Sequence, residues 1–507
     1  MTPIKEEKEI RTRYAPSPTG PLHIGGVRTA LFNYLFSRKN NGKFIIRIED
    51  TDRERSKKEW ETGLLKALRW LSLEWDEGPE VSEQQSFDLD GSNWKGAHGP
   101  YRQSERNEIY RKYLHQLVDE GKAYYCFCSK EEVEAQKQYM ISIGEPPVYS
   151  GKCRDLSPET VKKYLEEGRK YVIRFKTPGH QKIAFDDIIR GKIEVDSSTL
   201  GDFVIAKDFD NFLYNLTCAI DDVDMEINYV IRGEDHIPNT PKQILIIKAL
   251  GFEPPRYAHL SLILGSDRKK LSKRDGKTSI EDYIKEGYLP EALINFVAFL
   301  GWNPGTEKEI YSLEELVNDF SLEKIQRSAA VFNMEKLDWI NGFYIRKKTT
   351  EEIAKLCLPY LEEAGLIKVS GLDSFTVSAT GEEVSLNWIT QVVALYQERL
   401  KKLSEIVELT DYFFNDFSLD RSLLGWKDMS NEELFASLRT AYDLLEKEND
   451  FSRDHLEKLL MEEAGKMKNR GNLLWPLRVA LTGKKNSAGP MDVISVLRKE
   501  KSLELPA

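Results

Sequence analysis

Three sets of residues in this 507-residue chain have types and spacings that could do chemistry. The first lies between Arg11 and Arg28. Pro16, Pro18, Gly20 and Pro21 forbid regular structure, and His23, Gly25 and Gly26 follow where a helix should open. Unpaired N–H groups at such a start form an anion site, and glycine lets a phosphate approach the backbone closely. An ordinary strand-to-helix turn uses the same residue types, so the turn's composition leaves both readings open. The second set is Gly265 to Thr278, with six basic residues between Arg268 and Lys277. Gly276-Lys277-Thr278 imitates the end of a P-loop, but the earlier position that needs glycine is Leu271, so that reading is rejected. Cations on a loop can stabilise charge as it develops on a leaving group; a solvated charged face is the plain alternative. The third set is Cys126-x-Cys128, followed after 24 residues by Cys153-x-Asp155. Clustered thiols in a reducing compartment favour Zn²⁺ over a disulfide, the alternative being three reduced cysteines in a small core.

Elements of two kinds are expected to position these groups. A short strand precedes the Pro/Gly turn and a helix runs from near Gly25 toward Asn40. Lys43 to Glu49 alternates as a strand, with Phe44, Ile46 and Ile48 on one face and Arg47 and Glu49 on the other. Ligands of open α/β sheets bind at the carboxyl ends of strands, which places Glu49 to reach a substrate; a solvated turn competes with that reading. Lys57 to Leu73 reads as an amphipathic helix. Ser104 can cap the next helix, which is expected to end at Gly121. Residues 122–200 mix short strands such as Tyr171–Phe175 with helices, one of them opened by the capping box Ser129-x-x-Glu132, and read as an inserted α/β subdomain. Strands are expected at Asp202–Ala206, Asn211–Thr217 and Asn228–Arg232, then a helix from Asn239 to near Gly251. Beyond residue 280 the pattern is almost entirely helical, as in Glu351–Ala364, Asn387–Val407, Asn431–Lys447 and Arg453–Lys468.

The length calls for three or four domains. The composition, 40% hydrophobic and 31% charged, is that of a globular protein. No apolar run approaches the roughly 20 residues of a membrane span. Residues 1–9 are polar and charged, so no secretory signal is expected and the cytoplasm is the expected location. The net charge of −10 weighs against a nucleic-acid partner only weakly, because phosphate binding depends on local patches.

Pro16-Ser-Pro-Thr-Gly-Pro-Leu-His-Ile-Gly25 resembles the ATP-binding signature of class I aminoacyl-tRNA synthetases, with Gly26 in place of the final His. Lys270-Leu-Ser-Lys-Arg274 resembles their second signature, a loop that closes on ATP. The chain is most similar to bacterial-type glutamyl-tRNA synthetases, over nearly its full length, including Pro476 to Gly483. The resemblance implies a Rossmann-like α/β catalytic domain (residues 1–121 and 201–255) carrying the inserted acceptor-end-binding subdomain (122–200). It further implies a helical stem-contact domain (256–345) and an α-helical anticodon-binding domain (346–507).

The same resemblance implies the site. Pro16, Thr19, Gly20, His23, Gly25, Gly26, Lys273 and Arg274 would bind ATP, with His23, Lys270 and Lys273 supporting catalysis and Mg²⁺ accompanying the nucleotide. Arg13, Ala15, Ser17, Glu49, Tyr214, Cys218 and Arg232 would hold L-glutamate; an acidic substrate calls for arginine. For Arg232 the structural alternative is an ion pair with Glu234 or Asp235. Val223 and Glu226 depart from the family pattern Asp-Asp-His-x-Met-Gly near this pocket. The thiol spacing resembles the structural zinc site of some members, with Cys126, Cys128, Cys153 and Asp155 as ligands and Tyr149 as rival fourth ligand. The implied macromolecular partner is tRNA(Glu), with tRNA(Gln) open as a second acceptor, and nothing in the chain demands more than a monomer. A small-molecule nucleotidyltransferase would have no use for the helical C-terminal half. A catalytically silent RNA-binding protein would have no need of the complete set His23, Lys273 and Arg232.

Overall fold

The structure is a computed structural model and describes residues 8–80, 94–269 and 279–503. Lys270, Lys273 and Arg274 lie outside the described residues. Two compact units are present. One holds the described residues up to Asp282 with Leu293–Asn333, the other Tyr283–Ala292 with Met334 onward.

The first unit is built on a six-stranded sheet. From one edge the strands run Lys43–Ile46, Arg11–Tyr14, Tyr229–Gly233, Arg256–Leu260, Lys182–Asp187 and Gly191–Asp196. All neighbours are parallel except the last pair, a hairpin. Strand Arg11–Tyr14 is buried along its whole length, as a central parallel strand covered on both faces requires. The turn after it leads into helix Ile24–Lys39. Its N-cap is His23, whose ring Nδ1 accepts the Gly26 N–H at 3.2 Å, and Arg38 and Lys39 sit where the helix dipole favours cations.

Several expectations change here. Asn211–Thr217 is not a strand: helix Tyr214–Asp224 occupies its second half, because Leu216, Ala219 and Ile220 at helical spacing pack with Leu114, Leu117 and Ile246. Ser104 does not cap a helix. Its hydroxyl donates to Asp50 Oδ2 at 2.5 Å, and helix Asn107–Asp119 starts after Arg106 without a side-chain cap. The stretch 122–200 is also divided differently. Val172–Phe175 pairs with Ala123–Cys126 on one side and Val204–Ala206 on the other in a separate antiparallel sheet, whereas the hairpin Lys182–Asp196 joins the main sheet through Asp187 beside Tyr257. The capping box Ser129–Glu132 forms as read, and so does the left-handed Gly121 that ends the preceding helix.

The second unit is helical, with helices such as Thr350–Glu363, Asn431–Lys447, Arg453–Gly465 and Gly471–Thr482. Capping boxes Thr349–Glu352 and Ser430–Glu433 open two of them. The expected Asn387–Val407 helix is broken: Leu386–Ala394 ends and Glu405–Thr410 resumes. A small antiparallel sheet, Ile367–Val369, Ser374–Val377 and Glu383–Ser385, precedes it, its alternation burying Phe375 and Val377.

Candidate active site and a thiol cluster

A cleft of about 850 Å³ opens at the carboxyl ends of the parallel strands, where open α/β sheets place ligands. Of the sequence-derived site residues described, it brings together Arg13, Ala15, Pro16, Ser17, Thr19, Gly20, His23, Gly25, Gly26, Glu49, Tyr214 and Arg232. Its two ends differ in chemistry.

At one end lie the turn and the first turn of helix Ile24–Lys39. A Cβ on Gly26 would stand 2.6 Å from Tyr14 Oη and 2.8 Å from Leu22 Cδ1, so a side chain there would force these neighbours to shift. A Cβ on Gly25 would meet the His23 ring at 3.1 Å. The absence of side chains at both positions lets a phosphate approach the backbone closely, although the Gly26 N–H is already taken by His23 Nδ1. Ile263 and Ser279 line the cleft, and Ser279 bridges His23.

At the other end charged side chains converge. Arg47 is wholly buried and donates to Asp222 Oδ1 at 2.7 Å and to Glu49 Oε1 at 3.0 Å. Arg13 Nε donates to the same Asp222 oxygen at 3.1 Å. Burial pushes the Asp222 carboxyl up, but Arg13 and Arg47 outweigh it and hold the group below its usual range. For Glu49 burial prevails over the same two arginines, and its carboxyl lies above its usual value. Tyr214 Oη is 3.0 Å from His236 Nδ1, and burial with nearby Arg232 pulls His236 down to about 4, so the imidazole is neutral at neutral pH.

Arg232 is the most telling of these side chains. Nη2 donates to Thr240 Oγ1 and Gln243 Oε1, both at 2.8 Å, and Nε faces His259 Nε2 at 3.3 Å. Nη1 is buried without a partner. The alternative ion pair with Glu234 or Asp235 is not made. Glu234 pairs with Arg190 and accepts the Leu262 N–H.

Cys218 does not line the cleft. Helix Tyr214–Asp224 turns it inward, fully buried, 3.7 Å from Arg47 Nη2 and 3.8 Å from Asp222 Oδ2, and burial pushes its thiol up to about 12. Val223 and Glu226 are likewise off the cleft, one packed on an apolar cluster and the other exposed, so their departure from the family pattern leaves the pocket untouched. Sequence reasoning missed Arg47, Asp222, His236 and His259 as site groups. Only Arg47 carried a signal, a charge on the same strand face as Glu49.

The thiol cluster lies apart from this cleft. The Sγ atoms of Cys126, Cys128 and Cys153 lie within 4.8 Å of one another, those of Cys128 and Cys153 at 3.6 Å. Tyr149 Oη stands 3.4 Å from both Cys126 Sγ and Cys128 Sγ. Zn–S bonds of about 2.3 Å and a Zn–O bond of about 2.0 Å give tetrahedral edges of roughly 3.5–3.8 Å, close to the 3.6 and 3.4 Å separations here, so the thiol cluster is compatible with one zinc ion beside Tyr149. Burial raises the Cys126 thiol, but bonds with Tyr149 and Arg174 carry it below its ordinary value, whereas burial and the neighbouring thiols push Cys128 up to about 11 and burial raises the Tyr149 hydroxyl. Asp155 does not join them: its carboxylate is exposed and bonds Lys176 at 3.1 Å.

The catalytic-domain family described as tRNA synthetases class I (E and Q) matches residues 9–339, and an anticodon binding domain matches residues 352–504. Sheet, turn and cleft thus define a class I aminoacyl-tRNA synthetase. The glutamate–tRNA ligase of Carboxydothermus hydrogenoformans is 45% identical over 492 residues, 96% of this chain and 97% of that one. The glutamate–tRNA ligase of Bacillus subtilis is 42% identical over 98% of both chains. A crystal structure of a glutamate–tRNA ligase from Elizabethkingia meningosepticum, in complex with its amino acid, superposes with a TM-score of 0.84 at 34% identity, covering 98% of both chains. The chain belongs to the bacterial-type glutamyl-tRNA synthetases.

Proposed function

We propose that the cleft of this glutamate–tRNA ligase holds ATP at its glycine-lined end and L-glutamate at its charged end. The glutamate α-carboxylate attacks the α-phosphorus of ATP, pyrophosphate leaves, and the glutamyl group passes from the adenylate to a ribose hydroxyl at the 3′ end of tRNA(Glu). Little covalent chemistry falls to the protein; positioning and electrostatics carry the rate. His23 and the backbone of Gly25 and Gly26 receive the phosphates, and Mg²⁺ accompanies them. Lys273, with Lys270 and Arg274, supports the departing pyrophosphate. Glu49 takes the substrate ammonium, and Arg13, Ser17 and Tyr214 frame its backbone.

The observation that carries this reading is the unpartnered Arg232 Nη1. A buried cation with unused N–H groups is costly unless an anion completes it, and a side-chain carboxylate does so with two oxygens. Residues 352–504 read the anticodon, where unstacked bases can be recognised singly. Cys126, Cys128, Cys153 and Tyr149 hold a structural zinc that stiffens the inserted sheet. The enzyme works as a cytoplasmic monomer.

The test is aminoacylation with labelled glutamate or glutamine, offered tRNA(Glu) and tRNA(Gln) separately. Glutamate, not glutamine, is expected on tRNA(Glu); charging of tRNA(Gln) as well marks a non-discriminating enzyme. Arg232→Gln is expected to lower kcat/KM for glutamate by about 100-fold or more, from charge-assisted hydrogen bonds worth roughly 1.5–3 kcal/mol each. Unchanged glutamate kinetics in that variant would overturn the assignment of Arg232.

A further inference from the structure

Behind Arg232 stands a pair of groups that the reaction itself does not use. Asp187 ends the strand Lys182–Asp187, and His259 lies on the adjacent strand Arg256–Leu260. Both side chains are fully buried. Asp187 Oδ1 accepts the N–H groups of Ile189 and Arg190 at 3.0 and 2.8 Å. Its Oδ2 accepts the backbone N–H of His259 at 3.1 Å and lies 2.6 Å from His259 Nδ1. An ionised carboxylate only accepts, so Nδ1 carries the proton. The other ring nitrogen, Nε2, then offers a lone pair; it lies 3.0 Å from the Thr240 hydroxyl, which can donate or accept, and 3.3 Å from Arg232 Nε, which can only donate. A second proton on this ring would set imidazolium against guanidinium; burial and Arg232 both oppose that.

The count of donors completes the picture. A guanidinium has five N–H groups. One goes to His259, two to Thr240 and Gln243, and the two on Nη1 remain. Every acceptor that Arg232 meets is neutral, and among the described residues no carboxylate forms an ion pair with it. The nearest anion along this chain of bonds, Asp187, is one imidazole removed. The arginine is thus fixed in place without having its charge cancelled.

We propose that Asp187 and His259 are positioning residues for the substrate's side chain, Asp187 locking His259 as an acceptor and His259 holding Arg232 with two N–H groups and a full charge for a carboxylate. The inference rests on the assignment of Arg232 to the glutamate side chain. It also accounts for preference of a carboxylate over a carboxamide. A carboxamide gives the two remaining N–H groups one good acceptor and turns an NH₂ toward the other.

The test has three arms on the full-length chain. In the unaltered protein, ¹⁵N NMR of labelled histidine, with His259→Gln to identify the signal, should show His259 protonated on Nδ1 and bare on Nε2; protonation on Nε2 overturns the proposal without any need for a variant to fold. Asp187→Asn comes second. The N–H groups of Ile189 and Arg190 keep the amide oxygen on their side, so the NH₂ faces His259 Nδ1 and drives the proton to Nε2, against Arg232. KM for glutamate should rise about 10- to 100-fold with KM for ATP nearly unchanged, the loss of one hydrogen bond to a charged group. In the His259→Gln background, where the Gln oxygen stands in for Nε2 and no ring proton needs directing, Asp187→Asn should change KM for glutamate less than about 2-fold. Equal effects in both backgrounds overturn the proposal. Arg232→Lys is the third arm. If it leaves KM for glutamate unmoved, the assignment of Arg232 fails; if it raises KM while Asp187→Asn does not, only the positioning role fails.

Discussion

Gly26 replaces a histidine of the family signature, and its surroundings say what a side chain there would do. The residue sits in the first turn of helix Ile24–Lys39 with the Tyr14 phenol and the Leu22 side chain over its Cα. A methyl group would be 2.6 Å from Tyr14 Oη and 2.8 Å from Leu22 Cδ1, closer than carbon tolerates from either. Leu22 can turn aside, but Tyr14 is buried at the end of a central strand and cannot. Overpacking of this kind costs about 1–3 kcal/mol. At about 2.1 cal/mol/K of unfolding entropy per residue, a unit of roughly 320 residues should then melt about 1.5–4 °C lower. The turn must also move by some tenths of an ångström, and since a 1 Å misplacement costs about 100-fold, KM for ATP should rise roughly 3- to 10-fold. Gly26→Ala is the perturbation, read by thermal melting and by initial rates of aminoacylation against ATP. Tyr14→Phe in the same chain removes Oη, leaving the ring carbon Cζ at 3.8 Å, and should restore about half of the loss. An alanine variant with unchanged melting and ATP kinetics, or a loss that Tyr14→Phe leaves untouched, refutes the steric account. Gly26→His should be worse than Gly26→Ala.

Two further predictions concern stability and metal. Burial pushes Glu77 up, but hydrogen bonds from Arg11, Tyr101 and Lys43 carry its carboxyl down to about 2. A depressed carboxyl stabilises the fold above its unfolded value, near 4.5, and that contribution is lost as pH falls toward 2. Glu77→Gln should therefore cost on the order of 3 kcal/mol at pH 7 and flatten the decline of stability below pH 4.5; unfolding midpoints that fall in parallel for both proteins contradict this. For the thiol cluster, Tyr149→Phe should weaken zinc retention against a chelator by about 10- to 100-fold, while Asp155→Ala leaves it unchanged. Metal analysis showing the reverse would return the fourth ligand to Asp155.

What could be read in the sequence divides along a physical line. The Pro/Gly turn, the helix after it, the strand beginning at Lys43 (though it ends at Ile46, short of the expected Glu49) and the capping box Ser129–Glu132 were legible, because each is written in neighbouring residues. Residues 211–217 misled because Asn211-Phe-Leu-Tyr214 looks extended by itself. The helix is chosen by Leu216, Ala219 and Ile220 meeting a core from three other elements. Ser104 misled for a related reason: its hydroxyl had a better acceptor in Asp50, 54 positions away. Cys218 was expected to bind glutamate, but the rotation of its helix turns it away from the cleft. No spacing shows that Asp155 lies away from the thiols, exposed and bonded to Lys176, while Tyr149 stands beside them.

The two ends of the proposed amino-acid site follow opposite electrostatic rules, and this explains why so many charges are buried there. Glu49, proposed for the substrate ammonium, is a carboxylate that burial drives toward neutrality. It stays useful as an anion only because Arg47 lies against it, and Arg47 needs Asp222 for its own compensation. Arg13 leans on the same Asp222 oxygen. That side is therefore an ion network, continued through Asp221 to Arg106, in which removing a member leaves another charge short of a partner, at a cost of about 3–5 kcal/mol. Arg232 is treated in the contrary way, bonded only to neutral acceptors and left with two N–H groups to spare. A network of mutually paired charges gives a rigid surface for the part common to all amino acids, even though Arg47 Nε keeps no hydrogen bond of its own. An unsaturated cation, held still but not neutralised, leaves the last partner to the one group that distinguishes glutamate from glutamine.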